Sequence, residues 1–153
     1  MNYFEARIAL NQRRLERIKS NPDPTKLATN ESMYEFEIRQ NQEWLEAWKR
    51  GDRLCATMDQ GQIFHALGFR NIPYLAAGNN SNVMKKNYFD VLRKHGYPDH
   101  SCDMTTIPIA MCLDGDMPLP HVAAVWNHAC DREGDMMYTA ISNIAGCPQF
   151  KLD

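Results

Sequence analysis

The sequence predicts an α/β fold, a parallel sheet with flanking helices, preceded by a two-helix N-terminal segment. Three observations lead there. From residue 51 onward, short apolar stretches alternate with longer segments of helical periodicity, the pattern of right-handed β-α-β units. The stretch Val122-Ala123-Ala124-Val125-Trp126 shows no polar alternation, as expected of a parallel strand covered on both faces. The first fifty residues instead carry two helical patterns in succession.

In the first helix Phe4, Ile8, Leu15 and Ile18 recur at helical spacing, and Asn21-Pro22-Asp23-Pro24 stops it. The second is expected to begin at Ser32, with Glu35 three residues on as a capping box. Tyr34, Ile38, Leu45 and Trp48 then line one face, and Gly51 closes it. A strand is expected over 53–58, ending near Cys55. A helix follows over 60–67, with Ile63, Phe64 and Leu67 inward. A second strand is expected over 72–76. Asn79-Asn80-Ser81 should cap a helix carrying Met84, Tyr88, Val91 and Leu92. The segment 105–113 reads as a helix, with Pro108 tolerable only in its first turn. Asp114-Gly115-Asp116 is a turn, 121–127 a strand, 131–145 a helix with Met136, Met137, Ala140 and Ile141 to one side, and 149–152 a last strand. The division expected is a helical segment over 1–50 and an α/β unit over 51–153.

With 44% hydrophobic residues in 153, the chain can bury a proper core. The net charge of −2 predicts neither a nucleic-acid partner nor a membrane partner. No apolar run approaches the roughly 20 residues of a spanning helix. The N-terminus lacks the pattern of a signal peptide. Five cysteines, an odd number without a C-x-x-C pair, argue against a disulfide framework and predict a cytoplasmic protein.

In an open α/β sheet, ligands collect beyond the carboxyl ends of the strands. Cys55 is read at the end of the first strand, Cys102 ahead of a helix, and Cys130 after the strand 121–127. All three can therefore face one crevice. Thiolates favour iron–sulfur clusters or zinc, and three widely spaced ligands leave one coordination position open. The alternative is three buried thiols. His128, two residues from Cys130, is a candidate substrate acid or hydrogen-bond donor to the site, or a strand-end histidine bonded to backbone. Cys112 lies in an apolar helix and reads as core, and Cys147 as a loop thiol. Lys85, Lys86, Arg93 and Lys94 could meet phosphates, although a solvated helix face explains them as well.

Several segments resemble one family in order and spacing. They are Ile63-Phe64-His65-Ala66-Leu67-Gly68-Phe69, the Ala77-Gly78-Asn79-Asn80 loop, the segment His95-Gly96-Tyr97-Pro98 to Cys102, the apolar strand ending Asn127-His128-Ala129-Cys130-Asp131, and Pro148 to Asp153. From about residue 59 to 153 the chain looks like the N-terminal domain of the benzoyl-CoA reductase / 2-hydroxyacyl-CoA dehydratase family. The resemblance implies flavodoxin-like (Rossmann-like) α/β domains and a [4Fe-4S] cluster on three cysteines, which by position are Cys55, Cys102 and Cys130. It implies an acyl-CoA substrate, a second homologous subunit and an ATP-dependent iron–sulfur activator protein. The reaction would be radical reduction or dehydration, with His128 as a candidate catalytic group. Ser101 and Thr105 would be placed to donate hydrogen bonds to sulfur.

The chain departs from the family at Asp59-Gln60-Gly61-Gln62, where many members have a P-x-E helix start. Family subunits are also longer, with a second α/β domain that has no counterpart in these residues. A non-catalytic electron-relay or structural subunit, and a plain α/β domain with unligated thiols, are the alternative expectations.

Overall fold

The computed structural model describes residues 1–22, 25, 29–57, 61–98, 102–126 and 131–152, with the backbone alone at 126, 131–134 and 152. Helix α1 (Tyr3–Ser20) and helix α2 (Thr29–Arg50) form an antiparallel hairpin. They are followed by β1 (Leu54–Thr57), α3 (Gly61–Ala66), β2 (Arg70–Asn71), α4 (Tyr74–Asn79), a 3-10 turn (Ser81–Met84), α5 (Tyr88–Lys94), α6 (Asp103–Leu113), β3 (Val122–Trp126), α7 (Asp131–Ala145) and β4 (Gln149–Leu152). The strands form one parallel sheet in the order β2-β1-β3-β4. The α/β class with a parallel sheet and flanking helices, expected from the alternation, is therefore what the chain adopts. Among the described residues no helix is long and apolar enough to cross a membrane.

Parallel register puts partnered residues on the same face, and successive residues on opposite faces. Leu54, Ala56, Ala123 and Val125 join the main core with residues of α1, α4, α5, α6 and α7. Cys55, Val122 and Ala124 point the other way and pack with Phe64 of α3 and half-buried Phe69. Trp44 of α2 closes the β2 edge, its indole N–H donating to the Asn71 carbonyl at 3.0 Å.

Several local expectations are corrected. The capping box belongs to α1: Asn2 Oδ1 accepts the Glu5 N–H, and Glu5 Oε2 accepts the Asn2 N–H. Ser32 lies inside α2, which starts at Thr29; Lys19 of α1 pairs with Glu31 and Glu35 across the hairpin. The segment 72–76 is not a strand. Pairing stops at Asn71, and Pro73, with its fixed φ and missing N–H, leads directly into α4. Asn80 makes no side-chain cap; its Oδ1 accepts from Arg7 and its Nδ2 donates to the Ala76 carbonyl. In α3 only Phe64 turns inward. Ile63 and Leu67 are exposed, because a helix of 6 residues presents a single residue to the sheet.

Helix α6 starts at Asp103, so Pro108 sits in its interior rather than its first turn. A proline there cannot donate to the Met104 carbonyl one turn back. Gly78 of α4 fills that place: a Cβ on it would lie 2.5 Å from the Met104 oxygen. The two helices meet there, where one lacks a side chain and the other lacks a hydrogen bond.

Candidate functional site

Cys102 is the N-cap of α6, in extended conformation and half-buried. Its carbonyl accepts from the Thr105 and Thr106 N–H groups at 3.0 Å each, and from the Thr105 and Thr106 hydroxyls at 2.9 and 3.1 Å. Its sulfur makes no capping bond. The Thr105 hydroxyl is thus committed to backbone and does not serve as the expected donor to sulfur. At the other end of α6, Cys112 lines a cavity with Leu54 and His121, which stand at the amino edge of the sheet. The end of β3, Trp126, is at the carboxyl edge of the sheet.

Cys55 is elsewhere. It is the second of the four residues of β1, not the last, and it is fully buried. Its thiol lies 3.9 Å from Asn71 Oδ1, to which it donates, and burial pushes it up to about 11. Asn71 Oδ1 also accepts the Thr57 N–H at 3.3 Å. Cys55 thus faces the α3 side of the sheet, opposite the face that packs on α6, with its hydrogen given to Asn71, whereas the Cys102 sulfur makes no capping bond. Among the described residues no three Cys, His, Asp or Glu side chains group so as to hold a metal. Cys130, His128 and Ser101 lie outside the described residues.

No family model, curated protein or solved structure matches the chain. The site is therefore read from its own chemistry. Burial pushes the Cys112 thiol up to about 12 and also raises Cys147, which fits the expected core and loop roles. Lys86 is not free for phosphate: its ammonium is held by Asp114 at 2.8 Å and Asp116 at 2.6 Å. Arg93 pairs with Asp90 on its own helix.

Sequence reasoning missed a second polar centre between α1, α2 and α4. Arg7, Asn11 and Asn41 are all buried there, and Arg7 and Asn11 both donate to Glu37 Oε2. Asn11 Oδ1 is buried with no hydrogen-bond partner among the described residues. The signal was available: Phe4, Arg7 and Asn11 follow i, i+3, i+7 spacing, which puts two polar residues on the inward stripe of an amphipathic helix.

Proposed function

We propose that the chain is the cluster-holding α/β part of an iron–sulfur acyl-CoA reductase or dehydratase of the benzoyl-CoA reductase / 2-hydroxyacyl-CoA dehydratase kind. It works beside a second homologous subunit and an ATP-dependent iron–sulfur activator. The observation that carries the reading is Cys102 at the N-cap of α6, with a sulfur that makes no capping hydrogen bond. In sequence, Cys130 ends the connection that leaves β3. The strand order β2-β1-β3-β4 is that of a flavodoxin-like sheet up to its fourth strand, which supports that fold family.

In this reading Cys102 and Cys130 are the ligands contributed by the chain, and Cys55 is a core thiol. A bound [4Fe-4S] cluster would supply low-potential electrons for the acyl thioester. The chain's own part is to fix the backbone of Cys102, whose carbonyl accepts four hydrogen bonds from Thr105 and Thr106. The unpaired N–H groups of a helix's first turn are donors available to a sulfur ligand there.

Oxygen-free purification followed by iron and sulfide analysis tests the reading. Iron is expected in the parent protein, retained in Cys55→Ala and Cys112→Ser, and lost in Cys102→Ser and Cys130→Ser. A colourless, iron-free protein from an oxygen-free preparation sinks it. That result would favour the second reading, a plain α/β domain with unligated thiols, for which the buried, protonated Cys55 and Cys112 already speak.

A further inference from the structure

We propose that the cleft between the α1–α2 hairpin and α4 binds a neutral, amino-substituted nitrogen heterocycle, the chemical class of adenine. The cleft measures about 200 Å³. It is lined by the aromatic residues Tyr3, Phe36 and Trp44 and by the polar residues Arg7, Glu37 and Asn41, the last three termed its floor. Trp44 is held in place by its bond to the Asn71 carbonyl, whereas Phe36 is 52% exposed and forms the outer wall.

The floor is fixed before any ligand arrives. Arg7 donates to Asn80 Oδ1 and to Glu37 Oε2; Asn11 Nδ2 donates to the same Glu37 oxygen at 2.7 Å. Asn41 Nδ2 donates to the Glu37 carbonyl at 2.7 Å. Acceptors remain unmet there, beside N–H groups of Arg7 that its bonds to Asn80 and Glu37 do not use. Among the described residues Glu37 Oε1, Asn41 Oδ1 and the Tyr3 hydroxyl have no hydrogen-bond partner. The unmet acceptors can take a hydrogen from an amino group, and the Tyr3 hydroxyl and the remaining Arg7 N–H groups can give one to a ring nitrogen.

Charge narrows the choice. Glu37 already has Arg7 as its counter-ion, so a cationic ligand would sit beside Arg7 with no carboxylate of its own. An anionic ligand would face Glu37. A neutral donor meets neither penalty. Aromatic walls select a flat π face, and the volume takes a single or fused ring while leaving a sugar or phosphate outside.

The test is titration of the full chain with adenosine, and with purine riboside, which lacks the amino group. The readout is the Trp44 indole N–H resonance, with Trp48 as the internal control. Adenosine is expected to shift the Trp44 signal and leave Trp48 unmoved. Loss of the amino donor should weaken binding about tenfold. Phe36→Ala removes an exposed wall without touching the buried floor, and should weaken adenosine about tenfold through lost stacking. No shift at millimolar adenosine overturns the proposal. So does equal binding of purine riboside, stronger binding of methylguanidinium or benzoate, or an affinity unchanged in Phe36→Ala. The site uses none of the thiols, so its failure leaves the iron experiments untouched, and their failure leaves it standing.

Discussion

Gly78 shows how one residue sets the spacing of two helices. A Cβ there would meet the Met104 oxygen, carbonyl carbon and Cα at 2.5, 2.9 and 3.0 Å, and none of these backbone atoms can swing aside. Alanine would gain about 1 kcal/mol of helix propensity over glycine. Overpacking against backbone costs about 1–3 kcal/mol or more and wins. Gly78→Ala should therefore lower the urea midpoint without changing the slope, and an unchanged or raised midpoint would contradict the packing described. Pro108 was legible in the sequence as an anomaly in an apolar helix. Its partner was not, because the contact joins residues 78 and 104 through space. The cysteines divide in the same way. Thiolate is the reactive form, and burial holds Cys55 at about 11 and Cys112 at about 12. At pH 8 both are thiols shielded from reagent, whereas Cys102 is half-buried at a helix end. Iodoacetamide on the metal-free native protein should label Cys102 well before Cys55 or Cys112, and mass mapping of the first adduct decides it. That Cys55 was near the first strand could be read from the sequence. Which face it takes could not, since a shift of one residue in register reverses the face.

Elements were legible where periodicity was long and failed where it was short. The limits expected for the last helix and last strand match α7 and β4. The segment 72–79 failed because Ile72, Leu75 and Ala76 suit a strand as well as a helix, and only Pro73 and the two-residue length of β2 settle it. What holds the short elements in place is polar. Asp116, buried in the turn between α6 and β3, accepts the Tyr88 hydroxyl of α5 at 2.7 Å and Lys86 Nζ at 2.6 Å. Its carbonyl also accepts the Tyr3 N–H at the start of α1, at 3.1 Å. Asp116→Ala leaves the Tyr88 hydroxyl buried and unpaired, a loss of about 1–3 kcal/mol. Lys86→Ala removes only a half-exposed ion pair and should cost less than about 1 kcal/mol. Urea unfolding of the two variants measures both. Equal losses would mean that Lys86, not Tyr88, is the partner that matters.

On the scale of the whole molecule, the hairpin and the α/β unit share one core. Tyr3, Phe4 and Ala6 of α1 and Ala47 of α2 lie in the same buried cluster as Ile109 and Met111 of α6 and Ala123 of β3. Phe4 is fully buried and touches Tyr3, Trp44 and Trp48 edge-on or tilted, with ring centroids 5.6, 5.9 and 6.3 Å away. Far from this base the hairpin has little to pack against. The buried residues of α1 end at Asn11, and those of α2 are Asn41 and Ala47. Its attachment therefore rests on a few side chains near residues 3–11 and 41–48, and Phe4 is the largest of them that is fully buried. Phe4→Ala should cost about 3–5 kcal/mol. In a chain of this size that loss lowers Tm on the order of 10 °C. Because the core is continuous, the whole molecule should melt in one step at the lower temperature. Calorimetric and van't Hoff enthalpies that agree in the parent and in the variant would establish this. A variant that loses helical signal in an early separate transition, while the rest melts where the parent does, would show that the hairpin is a separate unit resting on the sheet domain.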